Sequence, residues 1–151
     1  MEIEIGDFVL EPYDIDNINH RYVSVVLDND ADFRDYVGET QHLVDNARIK
    51  QDRGFNDQTF IIRKNMDYLG ILSLIILDDK PYLTIGIIPE KQGLHYGKNV
   101  LREYIEYIFH EYPDYYQIFV SINPHNEKSI NNCLKLGFVQ ETKTKYVKTR
   151  D

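Results

Sequence analysis

Three apolar runs follow one another with almost no chain between them: QTFIIRK (58–64), YLGILSLIILDD (68–79) and PYLTIGIIP (81–89). Runs of this length, rich in β-branched and aromatic residues and bounded by turn residues, read as strands. The separators NMD and DDKP allow only hairpin connections, because a parallel pair needs a crossover of about a dozen residues or more. The middle of the chain is therefore an antiparallel meander, and the flanking segments must pack on it or extend it. EIEIGDFVLEPY (2–13) alternates through Ile3, Ile5, Phe8 and Leu10 and reads as a first strand. YYQIFVSI (115–122) and FVQETKTKYVK (138–148) read as two later strands.

Helical spacing fills the intervals. DIDNINHRYVSVVLDN (14–29) reads as a helix with Asp14 as its N-cap, and ETQHLVDNARIKQDRG (39–54) as a second, more polar one. GKNVLREYIEYIFHEY (97–112) is the clearest. Val100, Leu101, Tyr104, Ile105, Ile108 and Phe109 share one face, with Asn99, Arg102, Glu103 and Glu106 opposite. NEKSINNCLKLG (126–137) is a short helix capped by Asn126 and ended by Gly137, with Ile130, Cys133 and Leu134 on its apolar side. The order β, α, α, β, β, β, α, β, α, β is that of a mixed α/β (α+β) domain over residues 1–151, built on one mostly antiparallel sheet.

Charge and composition exclude several function classes. The formal charge of −8 opposes general nucleic-acid binding, which needs a basic face. Residues 1–60 hold 14 acids against 5 bases, whereas residues 61–151 hold 11 against 12. The first part suits a cationic partner and the second tolerates an anion. Ile71 to Leu77, broken by Ser73, is too short to span a bilayer, and the acidic N-terminus is not a secretory signal. The single cysteine, Cys133, excludes an internal disulfide and a cysteine-built metal site. His20, His42, His110 and His125 show no metal-ligand spacing. A cytoplasmic protein with neither metal nor membrane partner is expected.

The loop PEKQGLHYGKN (89–99) joins a strand to the clearest helix. Unpaired N–H groups and the helix dipole make such a junction an anion site, and Gly93 and Gly97 let the backbone approach a ligand closely. A turn shaped only by steric need is the other reading. Gly97-Lys98-Asn99 lacks the hydroxyl of a P-loop, and the preceding hairpins do not suit a dinucleotide fingerprint.

IGIIPEKQGLHYGKNVLREYIEYIF, followed by VSINPHNEKSINNCLKLGFVQET, resembles the GNAT N-acetyltransferase superfamily. The first segment resembles its coenzyme-A motif, Gln/Arg-x-x-Gly-x-Gly/Ala, and the second its Asn-x-x-Ser/Ala to Lys-Leu-Gly-Phe motif. The branch of ribosomal-protein N-terminal and spermidine acetyltransferases is the most similar. The resemblance implies that the backbone of Ile85, Gly86 and Ile87 pairs with the pantetheine arm of acetyl-CoA. It further implies that Gln92 opens the motif, that the N–H groups of Gly93, Leu94, His95, Tyr96, Gly97 and Lys98 cradle the pyrophosphate, and that Asn126 contacts the pantetheine. Many members are dimers, which makes a homodimer one possible assembly, but no interface stripe stands out and the sequence leaves the oligomeric state open.

The chain departs from the family pattern at three positions. His95 replaces the first motif glycine. Cys133 occupies the position where many members carry a tyrosine that protonates the departing thiolate. Ser121 stands where others carry a glutamate base. Cys133 and Ser121 are therefore the catalytic candidates, with a small core residue as the alternative reading of Cys133. His125 is a candidate to touch substrate, and His110 is expected to be solvated.

The function expected is acetyl-CoA-dependent transfer of an acetyl group to a primary amine. The acceptor would be a cationic small molecule, such as a polyamine, or a protein N-terminus. A non-catalytic acyl-CoA-binding or regulatory module is the alternative.

Overall fold

The computed structural model describes residues 1–28, 58–77 and 79–151. The polar helix expected at 39–54 lies outside the described residues. Eight strands form one sheet: β1 (Ile3–Ile5), β2 (Phe8–Pro12), β3 (Gln58–Lys64), β4 (Asp67–Leu77), β5 (Lys80–Ile87), β6 (Gln117–Ser121), β7 (Val139–Gln140) and β8 (Lys145–Thr149). Their spatial order is β1-β2-β3-β4-β5-β6-β8-β7. Three α-helices are described: α1 (Ile18–Asp28), α2 (Tyr96–Glu111) and α3 (Glu127–Lys135). The central meander is antiparallel as expected, and its registers place Ile61 opposite Ile71 and Ile71 opposite Gly86.

Two expected strands divide. Gly6, at φ 56°, turns the first into the hairpin β1–β2, where Ile5 pairs with Phe8. A two-residue hairpin requires positive φ, which glycine takes without a Cβ clash. The last strand divides into β7 and β8 because residues 141–144 turn, with Glu141 N–H donating to the Lys145 carbonyl. The cap of α1 also moves. Asp14 Oδ1 accepts from Asp16 N–H in a local turn, so Asn17 Oδ1 caps the helix by accepting from Asn19 and His20 N–H.

Alternation along the strands separates two packed faces. Phe60, Ile62, Leu72 and Leu74 face Val100, Leu101, Tyr104, Ile105 and Ile108 of α2, together with Cys133 of α3. Ile61 and Ile71 face Val23 and Leu27 of α1. Leu134, expected on the apolar side of α3, is 49% exposed: the nine-residue helix turns only a narrow seam through Ile130 and Cys133 inward.

Two polar clusters hold the ends of this packing. His20 is buried and its Nδ1 accepts from Asp14 N–H, which leaves the proton on Nε2 to donate to Glu11 Oε1 at 2.8 Å. Arg63 Nε donates to Glu11 Oε2 at 2.8 Å. Burial alone raises the Glu11 pKa, but hydrogen bonds from His20 and Arg63 outweigh it and hold the carboxyl below its ordinary value. The second cluster is Arg150, whose guanidinium donates to the carbonyls of Phe109, Tyr112 and Tyr115. It satisfies carbonyls that α2 leaves open at its C-terminus.

One connection departs from the antiparallel rule. β5 and β6 are parallel, joined through α2, and pair only at Tyr82 with Phe119 and Leu83 with Val120. Beyond these rungs β5 stays with β4 as far as Ile87, and β6 stays with β8 as far as Ser121. The sheet therefore opens into a gap at the C-terminal ends of two neighbouring strands.

Candidate active site

A cavity of about 570 Å³ occupies this gap. Its walls come from β5 and β6, its rim from the N-terminus of α2, and its far side from α3. Ile85, Gly86 and Ile87 line it along β5, and Ser121 along β6. Gln92, Gly93, His95, Tyr96, Gly97 and Lys98 line the rim, and Asn126 and Cys133 line the α3 side. Leu94 is the exception, since it does not line the cavity and is 56% exposed. The loop points its side chain outward.

The rim suits an anion. The first helical bond of α2 runs from Asn99 N–H to the His95 carbonyl, at 3.1 Å. The N–H groups of Tyr96, Gly97 and Lys98 thus precede any intrahelical partner. His95 is the cap residue, in the left-handed region at φ 63°, ψ 16°, and its side chain makes no cap hydrogen bond. Holding a histidine there costs on the order of 1 kcal/mol. Gly93 is needed for its own φ of 84°. Gly97 is not: a Cβ there would meet only Ile87 Cγ1, at 3.4 Å. Its lack of a side chain instead leaves room on the cavity side. Gln92 acts indirectly, because its Nε2 donates to the Ile87 carbonyl at 2.9 Å and ties the loop to the end of β5.

The chain is strongly acidic, yet the cavity wall is not. Among the described residues, Lys91, Lys98 and Lys128 line it against one carboxylate, Glu127, and no lining residue precedes Leu83. The acid-rich first sixty residues therefore contribute nothing to this wall among the described residues.

Asn126 Oδ1 accepts from Ser129 N–H at 3.2 Å and so caps α3, leaving its carboxamide N–H groups to other acceptors. Cys133 is buried, and burial pushes its thiol up to about 12. Such a thiol is a weak proton donor toward a thiolate of ordinary pKa, near 8.5. Its place in the core matches the small-residue reading. Ser121 is exposed and His125 also lines the cavity. His110, at 86% side-chain exposure, is on the solvated face of α2.

Sequence reasoning passed over several wall residues. Lys128 and Asn132, four apart on α3, had a helical-spacing signal, whereas Lys91 had none. Gly70 was legible as an isolated glycine inside a strand run. A Cβ at Gly70 would collide with the Gly86 carbonyl oxygen, so its absence lets β4 press on β5 where β5 lines the cavity.

A family described as Acetyltransferase (GNAT) domain matches residues 8–139. Among solved structures, the RimL ribosomal L7/L12 alpha-N-protein acetyltransferase in complex with coenzyme A is 15% identical, with a TM-score of 0.76 over 99% of this chain and 98% of that one. Spermidine N-acetyltransferase from Vibrio cholerae, in complex with CoA and spermine, is 17% identical, with a TM-score of 0.73 over 90% and 83%. The microcin C7 self-immunity acetyltransferase MccE, in complex with acetyl-CoA and AMP, is 13% identical, with a TM-score of 0.72 over 96% and 93%. At these identities the likeness is one of fold. No curated protein sequence matches the chain.

Proposed function

Because this chain belongs to the GNAT acetyltransferase family, we propose that it acetylates the α-amino group of a protein or peptide N-terminus, drawing the acetyl group from acetyl-CoA. The observation that carries this reading is the opening of β5 from β6 beside the free N–H groups of α2. One end binds anionic phosphates and the other exposes extended backbone to an elongated chain. Of the two acceptor classes expected from the sequence, the cationic small molecule would want a wall rich in carboxylates, and among the described residues the wall carries one, Glu127, against three lysines. A peptide N-terminus needs no such wall.

In this proposal Tyr96, Gly97 and Lys98 donate N–H groups to the pyrophosphate, aided by the helix dipole and by the charges of Lys98 and Lys128. Backbone groups of residues 84–87 hydrogen-bond the pantetheine arm as an added strand would. Asn126 donates to the same arm. Bound acetyl-CoA supplies an acyl carbon activated by its thioester. The peptide backbone of β5 polarises the thioester oxygen and holds the carbonyl against the incoming nitrogen. The neutral amine forms the N–C bond as the C–S bond breaks. One amine proton passes to water, and the leaving thiolate takes a proton from water. Cys133 is assigned packing. Ser121 positions the amine through its hydroxyl and takes no proton.

Calorimetric titration with acetyl-CoA tests the cradle. Micromolar affinity, worth about 8 kcal/mol, is expected for the natural protein and for the His95→Gly variant. Binding by the glycine variant alone would mean that His95 closes the site. Free-thiol release across a panel of N-terminal peptides and polyamines then tests the acceptor, and turnover with polyamines alone would overturn the peptide reading. A cytoplasmic homodimer is part of the same proposal, checked by light scattering of the pure protein.

A further inference from the structure

Part of the cavity wall lies on the face of the sheet that α1 packs against. Gly86 pairs with Ile71, a member of the α1 cluster, so Gly86, Thr84 and Tyr82 share that face. On the neighbouring strand Ser121 shares the face of Phe119, since both lie in the same alternation along β6. The cofactor rim and Cys133 lie on the opposite side, with α2 and α3. On this face the gap is bounded by the closed rung of the two strands, where Tyr82 stacks on Phe119 with ring centroids 5.2 Å apart.

Two ammonium groups stand over that rung. Lys145 Nζ lies 5.1 Å from the Phe119 centroid and 5.5 Å from that of Tyr82. Lys80 Nζ lies 5.5 Å from the Phe119 centroid. Lys145 is the register partner of Ser121, on the cavity wall. The Tyr82 hydroxyl accepts a hydrogen bond from Lys145 and, before other causes, raises its pKa. Among the described residues, the one carboxylate in ion-pair reach of these two cations is Glu141, 3.8 Å from Lys145 and 45% exposed. An exposed i,i+4 pair of this kind is weak and is readily exchanged for another anion. The aromatic faces hold both ammonium groups, and among the described residues one positive charge is left in excess.

We infer that the acceptor carries a carboxylate next to its amine, an acidic residue directly after the N-terminal one, and that Lys145 and Lys80 receive it beside Ser121. This rests on the acetyl-transfer reading and narrows its substrate class. It runs against the charge of residues 1–60, which favours cations, because the charge of the described residues beside Ser121 is of the opposite sign.

The test uses three peptides that differ only at their second residue, which is Asp, Asn or Lys. With acetyl-CoA present, kcat/KM is expected to fall about fivefold from Asp to Asn, the ratio one partly exposed ion pair supplies, and further to Lys. Lys145→Met should bring the Asp/Asn ratio close to one, Lys145→Arg should retain it, and Lys80→Met should reduce it in part. Calorimetric binding of the same peptides to the CoA-loaded protein is read in parallel. An Asp preference in binding without turnover of any peptide upholds the anion subsite and overturns the transfer reading. Turnover with no Asp preference, or with a preference for Lys, overturns the subsite and leaves transfer standing. An unchanged ratio in Lys145→Met overturns the role of Lys145.

Discussion

The two helices that border the cavity begin in opposite ways. α3 is closed at its N-terminus: Asn126 Oδ1 accepts from Ser129 N–H, and the carboxylate of Glu127 sits in the first turn. α2 is open. Its cap residue His95 is in the left-handed region, its side chain bonds no helical N–H, and its first turn holds no acid. α3 spends its cap on its own stability. α2 leaves the same groups free, at a cost in local strain, where a ligand can use them. An open helix N-terminus beside an opened sheet offers unpaired N–H groups, whereas a capped one nearby has used its cap oxygen within its own first turn.

Closing the open helix should have the largest effect. His95→Asp puts a negative charge where the proposed pyrophosphate lies, so acetyl-CoA affinity should fall on the order of a hundredfold by calorimetry. Asp tolerates positive φ, so the melting temperature should stay within a few degrees, and a large drop would mean that the loop itself has failed.

Opening the closed helix should matter less. Asn126→Ala removes the cap and should cost about 1 kcal/mol in denaturant unfolding. No loss of stability would show that the Ser129 hydrogen bond is unimportant. A loss of acetyl-CoA affinity beyond this would assign the carboxamide N–H groups to the ligand.

The smallest effect sharpens the contrast from inside α3. Burial raises the Cys133 thiol to about 12, so folding opposes the thiolate. The sign follows: the raised folded pKa contributes stability that is complete below the unfolded value, near 9, and is lost as pH rises toward 12. At pH 8 iodoacetamide should label native Cys133 far more slowly than the unfolded chain. Equal rates would restore Cys133 as a reactive group.

Much of this was legible before folding. β3 was readable to the residue, and Asn126 and Gly137 marked the ends of α3, because strands and caps follow from alternation and local hydrogen bonding. The splits at Gly6 and at residues 141–144 were not, since each half kept the alternation of one longer strand. Leu134 was misplaced because α3 is too short for its apolar spacing to choose a buried face by itself.

By itself the sequence determined the meander, the three described helices and the anion-suited loop, all features whose cause lies within a few residues. Only the tertiary structure decided that β5 leaves β6 after Leu83, that His95 adopts positive φ, and that Arg150 closes α2. It likewise placed His20 on Glu11 and brought Lys80 and Lys145 over one ring. Each of these joins groups far apart in the chain, or fixes a backbone angle through the packing around it. Their positions are set when the sheet closes, and no local pattern carries that information.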